Sequence, residues 1–237
     1  MSASRFAGGL ATLIFGLGAT AACSPDQVAT PVEPSPGPLT TSTAGTPSIV
    51  SPPAAEGAGL TAPGIRLVAI PRSDGSLDIT EHVVLRSEVA LIRLQLPRSG
   101  RRLAGMMRAT KPVATGLKII AGDQPVPLSF TQLSAPRDVP LTVTATRLQL
   151  TYRLTGSTVR SRPSESGRAA VAINPLTAGI DGTLPTNYLI PGGGLRNAVC
   201  PALAETRCAV GEPPGLGVQQ GIPAGQALAV LQLNLPK

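Results

Sequence analysis

The sequence predicts an all-β fold: a mostly antiparallel β-sandwich, immunoglobulin-like in general architecture, carried on a disordered N-terminal stalk. Three observations point there. After residue 64, apolar and polar residues alternate at period two in short runs, the pattern of half-buried strands. Helical periodicity is nearly absent from the same region. Ahead of it, residues 24–63 form a separate composition, rich in Pro, Thr, Ser, Ala and Gly, with no Lys, Arg or aromatic ring. Such a stretch cannot bury enough apolar surface to offset the entropy of ordering it.

The elements follow in order. A first strand is expected at 65–70, then a tight hairpin turn at Ser73-Asp74-Gly75. The clearest strand is 76–85, where Leu77, Ile79, Val83 and Leu85 share one face against Asp78, Thr80 and His82. A separate strand at 89–96 puts Ala90, Ile92, Leu94 and Leu96 opposite Arg93 and Gln95. Further strands are expected at 116–121, 126–131, 141–154, 169–173 and 227–235. The run 141–154 changes phase: Leu141, Val143 and Ala145 are odd, Leu148, Leu150, Tyr152 and Leu154 even. Because strand side chains alternate strictly, the flip requires a bulge or a break near Thr146; the favoured reading is one strand with a bulge, crossing between sheets. Residues 175–225, with Gly192-Gly193-Gly194, Pro213 and Pro214, read as a long irregular loop.

The N-terminus carries its own signal. Arg5 is the one charge before Asp26, and an apolar run from Phe6 to Gly18 follows it. That run has the length of a signal-peptide core and falls short of the ~20 apolar residues a membrane-spanning helix needs. Thr20-Ala21-Ala22-Cys23 then resembles the lipobox of bacterial lipoproteins, departing from it at Thr20, where Leu is commonest. The resemblance implies a signal peptide at 1–22, a diacylglyceryl group on Cys23, stable anchoring, and an extracytoplasmic address at the periplasm or cell surface. The competing reading is an ordinary secretory signal with Cys23 incidental. The domains are then 1–22, the lipidated stalk 23–63 and the β domain 64–237. Fully extended, the stalk would reach up to about 120 Å, holding the domain clear of the membrane.

With Cys23 acylated, Cys200 and Cys208 remain as an even pair in an oxidising compartment. A bridge between them closes a small loop and stabilises by about 2–3 kcal/mol on the chain-entropy account. Their spacing is not that of a redox Cys-x-x-Cys pair. His82 is the one histidine, so no metal site and no cofactor is expected.

Residues 64–237 hold 19 Lys and Arg against 10 Asp and Glu. The excess falls in two groups: Arg93, Arg98, Arg101, Arg102, Arg108 and Lys111, and Arg153, Arg160, Arg162 and Arg168. It is read either as a contact surface for an anionic partner, with Arg98, Arg101, Arg102 and Arg108 as candidates, or as a solvated surface. Nucleic acid is excluded as a partner by compartment and by the lack of aromatic rings among the basic residues.

No catalytic constellation emerges. His82 sits mid-strand on the polar face, and no nucleophile elbow or phosphate-binding loop appears. The lack of Trp and the few Phe and Tyr argue against a sugar-stacking platform. Glu81 is the anomaly: it falls in phase with Leu77, Ile79, Val83 and Leu85, on the core face. A buried carboxylate must be paired or neutralised, and Arg93 or Arg153 is the expected partner in a buried ion pair.

Asp74-Gly75-Ser76-Leu77-Asp78-Ile79-Thr80-Glu81, with a strand ending at Pro97, resembles the opening of the extracytoplasmic β-sandwich domain in an uncharacterised family of predicted bacterial membrane proteins. The resemblance covers residues 65–97 and implies a sandwich fold without a mechanism. Together these readings predict a lipid-anchored, non-enzymatic binding protein whose partners are the membrane, through the anchor, and an envelope protein or lipid. The alternatives are a carrier of an apolar ligand (a lipid or lipoglycan) in a cavity of the β domain, and a hydrolase with an unrecognised site.

Overall fold

The computed structural model describes residues 56–99, 103, 105–161, 167–192 and 194–236. The segments expected as leader and stalk lie outside the described residues up to residue 55, Cys23 included, as do Arg101, Arg102 and Arg162. Within the described part the fold is all-β, as the alternation predicts.

Two sheets carry it. The larger runs β13 (Ile222–Pro223), β9 (Pro185–Leu189), β1 (Gly64–Pro71), β2 (Leu77–Leu94), β6 (Arg137–Thr155), β3 (Val113–Ala121) and β4 (Gln124–Pro125), with β5 (Gln132–Leu133) also on β3. The smaller runs β10 (Leu195–Val199), β14 (Ala229–Asn234), β8 (Arg168–Ile173) and β7 (Thr158–Arg160). A short ribbon pairs β11 (Ala209–Val210) with β12 (Gly217–Val218). Among the described strands all pairings but one are antiparallel; β9 runs parallel to β1.

The inner faces meet in one apolar core. Ile65, Leu67, Ile79, Leu150 and Ile119 from the larger sheet share it with Val171, Ile173, Leu231 and Leu233 from the smaller. The smaller sheet is also covered outside. Leu103 and Met107, flanking and within the 3-10 turn Gly105–Ala109, pack with Ala172 and Leu228 in a second cluster. Burial on both faces explains why β8 reads as near-continuous Ala, Val and Ile.

Several expectations are corrected by packing. The strands expected at 76–85 and 89–96 are one bent strand, β2, 18 residues long. Its partner β6 is 19 residues long, and both halves of β6 stay within the larger sheet instead of crossing between sheets. The predicted phase change is present: the β2–β6 register breaks between Val84↔Arg147 and Val89↔Ala145, bracketing Thr146. Slack on β2 after Val84 is recovered on β6 between Pro140 and Ala145. The bulge turns Val143 outward, where it is 42% exposed. No strand forms at 126–131, because Pro125 and Pro127 lack the donors a ladder needs; β4 and β5 flank the segment. Residues 175–225, read as a loop, contain β9 to β13.

The fold also reaches back before Gly64. Residues 57–62 form a turn closed by Gly59 N–H to Ala62 O at 3.0 Å. Gly59 presses so closely on β1 and β2 that an added Cβ would lie 2.3 Å from the Arg66 nitrogen.

Candidate functional site

Alternation along β2 dictates where Glu81 goes. Its register neighbours are Leu67 on β1 and Leu150 on β6, both fully buried, and Glu81 itself has no exposure. The expected arginine partner is not there. Arg153 lies on the opposite face, bonded to Asp78 at 2.8 Å, and Arg93 stands 3.8 Å from Asp138 at the surface. Arg153 is one residue from inward-facing Tyr152, so strand parity puts it outside.

The carboxyl instead caps the turn that follows β8. Leu176 N–H donates to Oε2 at 2.9 Å and Thr177 N–H to Oε1 at 3.1 Å. The Thr177 hydroxyl, also fully buried, donates to Oε1. On the far side of the same peptide, Leu176 O accepts from Gln95 N–H at 2.8 Å, so β2 and the residue just past its end grip this turn at two points. Burial pushes the Glu81 carboxyl above the ordinary range, against the hydrogen bonds from Thr177 and Leu176, which favour its charged form. The Tyr152 hydroxyl is buried beside this carboxyl and interacts with it, yet reaches no hydrogen bond of good geometry. Burial, reinforced by Glu81, holds Tyr152 and Tyr188 well above the usual tyrosine value. The Tyr188 hydroxyl donates to Ala227 O.

The outer face of the larger sheet is polar. Asp78 accepts from Arg72 and Arg153, each at 2.8 Å. The Arg153 hydrogen bond is the main reason its carboxyl sits below the ordinary range, with Arg72 adding to it. Thr80, Thr151 and Lys118 continue this face in register across β2, β6 and β3. His82 lies on it opposite Arg66 and Gln149, and partial burial, helped by Arg66, lowers its pKa.

The candidate anion contacts are only partly brought together. A cleft of about 720 Å³ opens where the chain leaves β2, enters β3 and approaches β6. Arg98 and Lys111 line it with Ser99 and Ser134. Arg108, at the end of the 3-10 turn, is exposed and does not line this cleft. The second arginine group is dispersed: Arg153 faces Asp78, Arg160 donates to Ser73 O, and Arg168 shares a different cleft with Arg196.

Cys200 and Cys208 form the expected disulfide. Both are fully buried in the core, closing the loop between β10 and β11. Among the described residues no group of three or more His, Cys, Asp or Glu is placed to hold a metal ion, and no helix is long and apolar enough to cross a membrane.

Neither Thr177 nor the Asp78 ion pairs follow from sequence reasoning. Thr177 meets Glu81 across 96 positions of chain, and its one local cue is a Thr in a turn just after a buried strand. Compared with protein-family models and with curated proteins, the chain matches none.

Proposed function

We propose that this chain is a lipid-anchored protein of the bacterial envelope whose β-sandwich binds another envelope component without catalysing a reaction. The anchor is Cys23, and the stalk sets the domain's reach. The binding surface is the cleft of Arg98 and Lys111, which suits the acidic face of a protein partner.

The observation that carries this reading is the order of parts in one chain. An apolar leader ends at a lipobox-like cysteine, a Pro-rich spacer follows, and then comes a sandwich with a buried disulfide. A disulfide of this kind fits an oxidising compartment. The unusual ionisable groups of the core, Glu81, Tyr152 and Tyr188, are closed to any substrate, which favours binding over acid–base catalysis.

Membrane fractionation tests the reading. Cys23→Ser is expected to release the protein from the membrane fraction and abolish palmitate labelling. Arg98→Glu with Lys111→Glu, in the anchored protein, is expected to lose the partner retained in mild detergent. Membrane retention of Cys23→Ser contradicts the anchor, and unchanged partner recovery by the double reversal contradicts the cleft.

A further inference from the structure

We propose that the Glu81 carboxyl and the Thr177 hydroxyl condense into an ester, a covalent cross-link between β2 of the larger sheet and the turn leaving β8 of the smaller one. The two groups are already in hydrogen-bond contact, and neither has any exposure to water. They come from segments 96 positions apart, so the link would be a tertiary one. Sequestered reactants held in this way gain effective concentrations of about 10⁵ M or more. Exclusion of water removes the species that would hydrolyse the product.

The surroundings match what acyl transfer needs. Two backbone N–H groups, of Leu176 and Thr177, point at the carboxyl oxygens. The donor on Oε2 is placed to stabilise the oxyanion of a tetrahedral intermediate, and the donor on Oε1 holds the oxygen that leaves. The buried Tyr152 hydroxyl interacts with the same carboxyl and has no good hydrogen bond of its own, so its proton is available as a further donor. Burial favours the neutral acid, the form that carries a hydroxyl to expel.

The step balances without any co-reactant. Thr177 Oγ1 attacks Glu81 Cδ, forming the Oγ1–Cδ bond, and its proton passes to Oε1, the oxygen it faces. The negative charge that develops on Oε2 is held by Leu176 N–H. The Cδ–Oε1 bond then breaks, Oε2 regains its double bond, and Oε1 leaves as water with the acid proton and the threonine proton. Carboxylic acid and alcohol give ester and water, with no change of oxidation state.

Mass spectrometry of the full chain, purified folded and then reduced, decides it. The expected result is a mass lower by one water than the same chain with an open carboxyl and hydroxyl. After trypsin, peptide 73–86 should be joined to peptide 169–196 through Glu81 and Thr177. Thr177→Val should restore the missing water and release the two peptides. A full mass with separate peptides in the wild-type protein overturns the proposal, whatever the variant does. So does a water deficit confined to an unlinked peptide 73–86, which would mark cyclisation at Asp74-Gly75 instead.

Discussion

Replacing Leu150 by alanine removes a side chain with no solvent exposure, set in register between Glu81 on β2 and Ile119 on β3 and facing the smaller sheet. The paired strands hold the backbone on both sides, so the cavity has little room to collapse. Leu→Ala at such a site costs about 3–5 kcal/mol, the transfer term plus the cavity term. With a urea dependence of about 2 kcal/mol per M, the unfolding midpoint should fall by roughly 1.5–2.5 M at constant slope. Val143→Ala on the same strand is the internal control. Simple alternation with Ala145 would make Val143 a core residue, but the bulge exposes it, so its truncation should cost about 0.5 kcal/mol or less. Equal costs at the two positions, or less than about 1 kcal/mol at Leu150, would refute the placement of the bulge and with it the two-sheet core.

Two other perturbations follow from local geometry. Gly156 has φ +66°, and a Cβ there would sit 2.1 Å from Lys111 O, so Gly156→Ala should destabilise by about 2 kcal/mol or more, against a few tenths for Lys111→Ala, read by thermal unfolding. Asp78 has a folded pKa below its unfolded value, so its pairing with Arg153 and Arg72 stabilises above the unfolded value of 3.8 and is lost as pH falls through the folded one. Asp78 is 39% exposed, which limits the effect to about 1 kcal/mol or less. Asp78→Asn should therefore lower stability slightly near neutral pH and leave it unchanged below the folded pKa; an equal deficit at both would remove the ion pairs as its cause.

How much of this was legible in the sequence depends on the range of the interactions. Strands β1, β8 and β14 lie within two residues of their expected limits, because burial of one or both faces writes itself into each short run. The bulge near Thr146 was legible for the same reason: a parity change cannot be absorbed otherwise. Glu81 was correctly placed inside, by parity alone. Its partner was not, because charge suggested arginine while the fold supplied two backbone N–H groups and a hydroxyl from a turn after β8. Strand β9 was missed since its five residues pair parallel to β1, far away in sequence, and carry only Thr186 and Tyr188 as inward cues. Arg98 and Lys111 looked like scattered members of a basic run; only the convergence of three chain segments makes them walls of one cleft.

That cleft also makes the central functional claim directly measurable. Lys111 lines it, Lys118 stands on the polar face of the larger sheet, and these are the lysines among the described residues. Amine-reactive cross-linking of the full-length protein in the cells that make it, followed by mass spectrometry of linked peptides, reads out which face meets a partner. The account predicts one recurrent envelope protein joined through Lys111, from an acidic segment of its surface, and lost in Arg98→Glu. Recurrent linkage through Lys118 alone, or no linked protein at either lysine, would contradict it.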